Sequence, residues 1–424
     1  MCRWITLISH ESVSLSDVVL APTNSLIQLS RDASFHPGYS LVNNAVINGD
    51  GFGCGWYHHN AAYYKPADVA HDGGLTATTV ANSQAAPNSN NNNNSTAEEN
   101  PNTPKGVVHA QAAIFKDIQP AWNNTNLREL CLATSSNCIM AHVRAASKGT
   151  GISQQNCHPF KGGRLLFCHN GRLHQFAQYR RKFLEHIADE VYSNIYGNTD
   201  SEIVFHLVLT NLMATADCPE HANPLHQKTP FGAKRLVAAI KRTLNQIEAF
   251  YESLGLGQTE GVYNTCNFSI TDGDTMVVTR FCDKSPEIPP PSLYFAYGTA
   301  SSLYRELTHD EAPPPPTPAF QSMDSEVTDD TESVDSGNTS SVGLEEDWAE
   351  KWAERRVGLL NSLSRPGKVM EQVNPVTASF IVASNPLTKT HTWHPMPRNS
   401  IMWCTRGKHP EMRKLIRRKS MANF

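Results

Sequence analysis

Short runs of apolar, β-branched and aromatic residues recur along the chain, separated by polar residues, glycine and proline. Runs of this length and composition are typical of β-strands. Two of them, 267–271 and 276–281, flank Asp272-Gly273-Asp274, a sequence that favours a tight hairpin turn. Strands are predicted at 3–9, 53–58, 138–143, 165–169, 267–271, 276–281, 293–297, 379–383 and 401–404.

Three longer segments have helical spacing. In the first, Phe176, Tyr179 and Phe183 follow one another at steps of three or four residues, which places them on one face of a helix. Many strands combined with a few long helices favour an α+β fold built in layers. Helices are predicted at 173–191, 201–214 and 236–253.

Two polar tracts interrupt this pattern and contain few apolar residues. The first, residues 60–105, includes an unbroken run of asparagines from Asn90 to Asn94. The second, residues 305–372, is rich in proline near its start and has ten acidic residues and no Lys or Arg between 323 and 350. Such compositions are typical of disordered segments. We therefore expect one domain at 2–304, interrupted by 60–105 and completed by strands within 373–405, and then a solvated basic tail at 406–424.

Composition and charge exclude several classes of protein. The net charge of -4 and a pI near 6.5 exclude a globally basic nucleic-acid-binding chain. A mean hydropathy of -0.41 and the lack of a long apolar run argue against a membrane-spanning helix. Residues 2–7 lack the apolar stretch of a secretory signal, and ten cysteines are too few for a disulfide scaffold in a chain of 424 residues. We expect a cytoplasmic protein whose thiols are reduced.

Cys2 is the first residue with candidate chemistry. If Met1 is removed, Cys2 carries both a thiol and a free α-amine. The amine has a reference pKa of about 7.7–8.0, so its neutral form can act as a general base for the thiol. One residue would then supply both the nucleophile and the base. This position alone is a weak indication, because a cysteine at the second position is usually inert.

Four further patches place polar residues at the ends of predicted elements, where functional sites form. Each patch also has an ordinary structural interpretation, as turn glycines, a surface ion pair, a hairpin turn or a helix cap. The patches are Asn48-Gly49-Asp50-Gly51-Phe52-Gly53 before a strand, His142-Val143-Arg144 and His169-Asn170-Gly171 at strand ends, and Asp200-Ser201-Glu202, where Thr199 or Asp200 would cap a helix.

Together with Cys2 and Asn156-Cys157-His158-Pro159-Phe160, these patches resemble the class II glutamine amidotransferases, a family of N-terminal-nucleophile hydrolases. Within that family the sequence resembles the fungal cytosolic subunits that degrade glutathione. The segments that carry this second resemblance are Pro120-Ala121-Trp122-Asn123-Asn124 and Ala383-Ser384-Asn385-Pro386-Leu387-Thr388. The family fold that the resemblance implies is a four-layer α/β/β/α sandwich of two antiparallel sheets.

The resemblance also implies a role for individual residues. Cys2 would attack the γ-carbonyl carbon of a γ-glutamyl group and form a thioester. The Asn170 side chain and the Gly171 backbone N–H would form the oxyanion hole. Arg144 would bind the α-carboxylate of the substrate, and Asp200 would accept hydrogen bonds from its α-ammonium group.

The segment after Arg144 departs from the family pattern. Many glutamine amidotransferases carry Arg-Trp-Ala-Thr-His-Gly at this strand end, whereas this chain has Arg144-Ala145-Ala146-Ser147-Lys148-Gly149. Ser147 keeps a hydroxyl group and is a candidate substrate-binding residue. The missing Trp and His argue against the usual lid that closes over glutamine.

The activity implied by the resemblance is hydrolysis of the γ-glutamyl bond of glutathione to glutamate and Cys-Gly, because no synthetase or transferase domain follows. A metallopeptidase-like partner subunit is implied, and no cofactor or metal. An alternative is a glutaminase or an ammonia-donating amidotransferase subunit. A non-catalytic scaffold is another. A zinc-binding protein would use His58-His59, Cys157-His158 and Cys168-His169, but this spacing matches no common structural zinc pattern.

Overall fold

The computed structural model describes residues 2–33, 47–58, 110–147, 149–215, 223–285, 287–299, 303, 373–388 and 393–415. The polar tracts predicted at 60–105 and 305–372 lie outside the described residues, as does the end of the chain after residue 415.

Thirteen strands and seven α-helices are present in the described residues. The strands are β1 (Arg3–Ser14), β2 (Phe52–His58), β3 (Gln111–Asp117), β4 (Ser135–Val143), β5 (Phe160–Gly162), β6 (Leu165–Arg172), β7 (Thr265–Thr271), β8 (Thr275–Arg280), β9 (Tyr294–Thr299), β10 (Ala378–Ala383), β11 (His394–Pro395), β12 (Ser400–Thr405) and β13 (Glu411–Lys414). The helices are α1 (Leu15–Val19), α2 (Leu26–Arg31), α3 (Thr125–Ala133), α4 (Phe176–Leu184), α5 (Asp189–Tyr192), α6 (Asp200–Met213) and α7 (Gly232–Ser253).

The strands form two antiparallel sheets. The first has seven strands in the order β11-β9-β10-β1-β4-β2-β3, and the second has six in the order β13-β12-β8-β7-β6-β5. Strand β1 is central in the first sheet, where Ile5 pairs with Ala383 of β10 on one side and with Ala141 of β4 on the other. Strand β10 is therefore part of the same sheet as the N-terminus.

Four layers follow from how the two faces of each sheet are covered. One apolar cluster joins the sheets and includes Trp4 and Phe380 of the first sheet and Leu166 of the second. A second cluster packs α1, α2 and α3 against the outer face of the first sheet, and a third packs α4 to α7 against the outer face of the second. The predicted α+β fold, a four-layer α/β/β/α sandwich, is confirmed.

Strands with both faces buried explain the near-continuous apolar runs in the sequence. In β1, Ile5 and Leu7 belong to the helix-facing cluster, while Trp4 and Ile8 belong to the cluster between the sheets. Polar contacts also cross between the sheets. The Tyr57 hydroxyl donates to one of two carbonyl oxygens, that of Arg164 at 2.6 Å or that of Thr271 at 2.9 Å.

The helix predicted at 173–191 is divided into α4 and α5. Ala188 has an extended backbone, with φ -65° and ψ 141°, and its N–H donates to Thr210 Oγ1 at 3.1 Å. That contact with α6 is tertiary, so the spacing of apolar residues could not show it. The short helices α1, α2 and α3 were not predicted, although each begins at a side-chain cap, Ser14, Ser25 and Asn124 respectively.

Part of the tail expected at 406–424 forms regular structure. Glu411–Lys414 forms the edge strand β13 beside β12. Its charged residues pack on Trp403, because the Arg413 guanidinium lies 5.4 Å from the indole ring and Trp403 Nε1 donates to Glu411 Oε1 at 3.2 Å. Charged side chains of this kind suit an exposed sheet edge.

Residues 59–109 connect two neighbouring strands, since the register of β2 and β3 pairs His58 with Gln111. We expect that replacing residues 60–108 with a four-residue linker containing Asn-Gly preserves a cooperative urea transition. The two ends lie at pairing distance, and loop closure depends only weakly on loop length. A matched control replaces the buried strand Ala378–Ala383 with six Gly and Ser residues and should abolish the transition. Loss of the transition in the linker variant would contradict the expectation.

Candidate active site

The start of β1, the end of β4 and the start of β2 lie side by side at one end of the strands of the first sheet. The register pairs Val143 with both Arg3 and Phe52, so the residues just beyond these strand ends become neighbours. The Arg144 N–H donates to Gly51 O at 2.8 Å. Asp50 also joins the loop before β2 to the segment after β4, because its carboxylate Oδ2 accepts a hydrogen bond from the Ala146 N–H at 2.7 Å.

Cys2 lies at this end of the strands, and its thiol contacts the segment that follows β4. The Ala145 N–H donates to Cys2 Sγ at 3.3 Å, and Cys2 Sγ lies 3.5 Å from Ala145 O. Burial raises the pKa of the Cys2 thiol, although the Ala145 N–H and the positive charge of Arg144 act in the opposite direction. The next residue, Arg3, is buried, and its Nη2 donates to Ala33 O at 3.1 Å, which anchors the start of β1.

Gly51 permits the close approach of the loop before β2. Its φ of 107° belongs to the region that favours glycine. A Cβ atom at this position would lie 2.6 Å from Cys157 Sγ and 2.8 Å from Asp117 O. Any side chain here would displace the loop that carries Asp50.

Arg144 is a buried cation that uses only part of its hydrogen-bonding capacity. The residue is 3% exposed, and its Nη2 donates to Thr150 Oγ1 at 3.3 Å and to Gly151 O at 3.1 Å. Nη1 is buried and has no hydrogen-bond partner among the described residues. A buried donor without a partner is costly unless a ligand satisfies it, and a carboxylate is the acceptor that a guanidinium binds best.

The end of β6 and the start of α6 form the second part of the candidate site. Asn170 is buried, and a Cβ atom at Gly171 would lie 1.9 Å from Thr265 O, so only glycine fits there. The carboxylate of Asp200 accepts from the Leu173 N–H at 2.9 Å. Thr199, and not Asp200, caps α6, since Thr199 Oγ1 accepts from Glu202 N.

Two observations relate the parts of the site. Thr6 of β1 and Ser269 of β7 share a hydrogen bond of 2.9 Å between their hydroxyl groups, which aligns the two sheets. Burial, and next to it the Cys2 thiol, raises the pKa of Cys168, which lies two residues before Asn170 in β6. Cys2 is therefore within electrostatic reach of the strand that carries Asn170.

The predicted site residues form two groups, each linked by a backbone hydrogen bond, and Ser147 belongs to neither group. Cys2 and Arg144 are linked through Ala145, whereas Asn170 and Gly171 are linked to Asp200 through the chain that ends at Leu173. Ser147 is exposed, and its carbonyl oxygen accepts from the Thr150 hydroxyl at 2.7 Å. Asp50 was not predicted as a site residue. Its place between two glycines before a strand was the only available signal.

Two of the residues considered for zinc binding have other contacts, and His59 lies outside the described residues. Cys157 Sγ lies 3.6 Å from Asp117 O, and the His158 ring stacks on the His142 ring with centroids 4.1 Å apart. In the described ranges, no group of three or more His, Cys, Asp or Glu side chains is placed to hold a metal ion. Of the helices in the same ranges, none has the length and apolar character needed to cross a membrane.

The stacked histidines are buried, and His142 lies two residues before Arg144 in the chain. The ring nitrogens of His142 and His158 have no hydrogen-bond partner among the described residues. Burial, together with the charges of Arg144 and His169, lowers the pKa of His142 to about 3. Burial also lowers the pKa of His158, with His142 as the next cause. Both rings are therefore neutral at neutral pH.

This environment predicts acid sensitivity of the fold. Below about pH 6.5 the unfolded chain binds a proton at His142, whereas the folded chain does so only near pH 3. The uptake of a proton at His142 alone should therefore lower the folding equilibrium constant about tenfold for each pH unit in this window. We expect the urea-derived stability of His142→Phe to fall by about 3 kcal/mol less than that of the unmodified protein between pH 7 and pH 4.5.

The exposed His10 provides the matched control, because His10→Phe should keep the pH dependence of the unmodified protein. Identical pH dependence in the His142→Phe and His10→Phe variants would contradict the expectation.

The chain is similar to several known proteins. The family model "Glutamine amidotransferases class-II" matches residues 106–244. The chain is 31% identical over 300 residues to "Probable glutamine amidotransferase DUG3" of Saccharomyces cerevisiae, covering 71% of this chain and 69% of that relative. A match of 35% identity over 57 residues, 13% of this chain and 24% of the relative, is to "Gamma-glutamyl-hercynylcysteine sulfoxide hydrolase" of Mycobacterium tuberculosis.

A solved class-II domain protein of Silicibacter pomeroyi, titled a glutamine aminotransferase, superposes with a TM-score of 0.45 at 16% identity. The superposition covers 98% of this chain and all of that chain (100%). Family membership is decided by the extent and identity of the yeast match: this chain belongs to the class II glutamine amidotransferases, as its sequence patterns indicated.

Proposed function

We propose that the chain hydrolyses the γ-glutamyl bond of glutathione, releasing glutamate and Cys-Gly, with Cys2 as the nucleophile. The observation that carries the proposal is the proximity of the Cys2 thiol to the buried Arg144 guanidinium, which has one nitrogen without a hydrogen-bond partner among the described residues. Ala145 contacts Cys2 Sγ, and the adjacent Arg144 keeps its Nη1 available. A nucleophile next to a carboxylate-binding cation suits a substrate with a carboxylate close to the bond that is cleaved.

The first chemical step follows from the pKa of the thiol. Because burial raises that pKa, the thiol keeps its proton near neutral pH and needs a base. After removal of Met1, the α-amine of Cys2 accepts the proton, and the sulfur attacks the γ-carbonyl carbon. The carbonyl oxygen becomes an oxyanion that the Asn170 amide and the Gly171 N–H stabilise, together by several kcal/mol at about 3 kcal/mol per donor.

The second half of the reaction reverses these roles. The ammonium form of the Cys2 amine returns its proton to the nitrogen of the leaving Cys-Gly, and the C–N bond breaks to leave a γ-glutamyl thioester. The amine then takes a proton from water, whose oxygen attacks the thioester carbon. Glutamate leaves and the thiol is restored.

The glutamyl end of the substrate carries two opposite charges. Arg144 Nη1 is the donor for its α-carboxylate, and Asp200 is the acceptor for its α-ammonium group. Asp200 already accepts from the N–H groups of Leu173 and Ser201, which orient the carboxylate and leave further lone pairs. Ser147 would add a hydroxyl at the exposed side of this subsite.

Glutathione is favoured over glutamine by the segment after β4, where Ala145 stands in place of the Trp of many family members. A γ-glutamyl peptide needs more space on its leaving-group side than ammonia does. The mycobacterial relative is named as a hydrolase of a γ-glutamyl compound, gamma-glutamyl-hercynylcysteine sulfoxide. We further propose a metallopeptidase-like partner subunit that consumes the released Cys-Gly, and a cytoplasmic location.

Glutamine hydrolysis is the second candidate activity. It is favoured by the same Arg144 and Asp200 contacts, because glutamine and glutathione present identical glutamyl ends. The two activities differ only in the leaving group, so product analysis separates them.

The nucleophile can be tested by replacing Cys2. We expect Cys2→Ala to release no Cys-Gly from glutathione and Cys2→Ser to retain only a trace, because a hydroxyl is poorly ionised near neutral pH. Mass spectrometry of the products and of the intact N-terminus is the measurement. Cys404→Ala is the matched control, since this buried thiol lies in β12 and should leave turnover unchanged.

The assay is repeated with extract of the source cells to supply a partner subunit. Glutaminase activity without Cys-Gly release, with and without extract, would overturn the glutathione proposal and leave an amidotransferase. Full activity of a chain that retains a residue before Cys2 would overturn the proposed base.

Recognition of the glutamyl end can be tested at Arg144. Arg144→Lys keeps the charge but loses the planar pair of donors, so we expect kcat/KM to fall about 10- to 100-fold. Glutathione and glutamine should be affected equally, and Asp200→Asn should have a similar effect on both. Arg406→Lys, at a remote residue beside Asp274, serves as the control and should leave kcat/KM unchanged. A normal kcat/KM in Arg144→Lys would exclude Arg144 from substrate binding.

A further inference from the structure

Asn156 connects the two charged groups of the proposed substrate site without belonging to either. It lies in the loop before β5 and is 3% exposed. Its Nδ2 donates to Gly151 O at 3.0 Å, and the same carbonyl oxygen accepts from Arg144 Nη2 at 3.1 Å. One backbone carbonyl thus joins Asn156 to the arginine.

The other contacts of Asn156 lead to α6. Asn156 Nδ2 lies 2.9 Å from Asn198 Oδ1, and the Asn198 N–H donates to Asn156 Oδ1 at 3.0 Å. Since Gly151 O can only accept and Asn198 N–H can only donate, the orientation of the Asn156 amide is fixed. Asn198 lies two residues before Asp200, so the network ends next to the acidic group.

The segment before α6 is held rigidly around this amide. A Cβ atom at Gly197 would lie 2.4 Å from Asn156 Oδ1 and 2.7 Å from Glu202 Oε2. The buried carboxylate of Glu202 accepts from the N–H groups of Tyr196 and Gly197, at 2.9 and 2.7 Å. Gly197 therefore packs directly against the Asn156 amide, and a displacement of that amide is passed on to the segment before Asp200.

We infer that Asn156 is a positioning residue that fixes the separation between the Arg144 guanidinium and the Asp200 carboxylate. Asn156 thereby restricts the site to substrates that present an α-carboxylate and an α-ammonium group together. This inference rests on the proposed function, because it assigns Arg144 and Asp200 to those two groups.

Replacement of the amide by a carboxylate is the sharpest perturbation. Asn156→Asp keeps the shape of the side chain but removes the donor to Gly151 O, and it places a negative charge near Arg144. The guanidinium and the segment before Asp200 should then shift independently. A ligand that binds only Arg144 can move with the displaced guanidinium and keep its affinity. A ligand that must bind Arg144 and Asp200 at the same time loses affinity.

The experiment compares L-glutamine with glutaramate, which is glutamine without its α-amino group. The unmodified protein should prefer glutamine in kcat/KM, because only glutamine uses Asp200. We expect Asn156→Asp to reduce this preference about 10- to 100-fold, mainly through a higher KM for glutamine and with kcat nearly unchanged. Asn198→Ala, which removes one side-chain contact only, should give a smaller reduction.

Asn211→Asp is the matched control. Asn211 is also buried, and its Nδ2 donates to Thr243 Oγ1 at 3.0 Å and to Gln246 Oε1 at 2.7 Å, at the other end of α6. It should lower stability without changing the preference. An active unmodified protein whose preference survives Asn156→Asp would overturn this inference alone, as would an equal loss in Asn211→Asp. No hydrolysis of glutathione or of glutamine by the unmodified protein would overturn the proposed function and the inference with it.

Discussion

The pairing register between β1 and β4 determines where the Cys2 thiol lies. Arg3 pairs with Val143 and Trp4 with His142, so even-numbered residues of β1 face the second sheet and odd-numbered residues face the helices. A register shift of one residue would turn the thiol toward the helices. The Thr6 hydroxyl opposes such a shift, because its hydrogen bond to the second sheet exists in one register only.

A single physical cause, the exclusion of water between the sheets, acts on groups of opposite charge type. Burial raises the pKa of the Cys2 thiol and lowers the pKa of His142, because a low-dielectric environment disfavours whichever form is charged. The guanidinium of Arg144 lies at the boundary of this region and keeps an unused donor. The same packing that keeps the histidines neutral therefore strengthens the attraction of Arg144 for a carboxylate.

Much of the fold could be predicted from the sequence, because β-rich runs and turn residues are local signals. The strands predicted at 138–143 and 379–383 lie within β4 and β10. Candidate residues such as Arg144 and Asp200 could be named because they stand at element ends. The contacts of Asp50 and Asn156 could not be predicted, since they depend on which loops lie together at the ends of the strands. Short helices were missed because fewer than three turns give little periodicity.

The long sequence separation between β1 and its neighbour β10 has a consequence for synthesis. Trp4 and Ser384 exchange hydrogen bonds, with Trp4 N–H donating to Ser384 Oγ at 3.1 Å and Ser384 N–H donating to Trp4 O at 3.0 Å. On the ribosome, chain growth proceeds from the N-terminus, so β1 lacks this neighbour until most of the chain has emerged. The start of β1 therefore lacks this pair of hydrogen bonds during most of translation, which is the period when a processing aminopeptidase would act on the N-terminus.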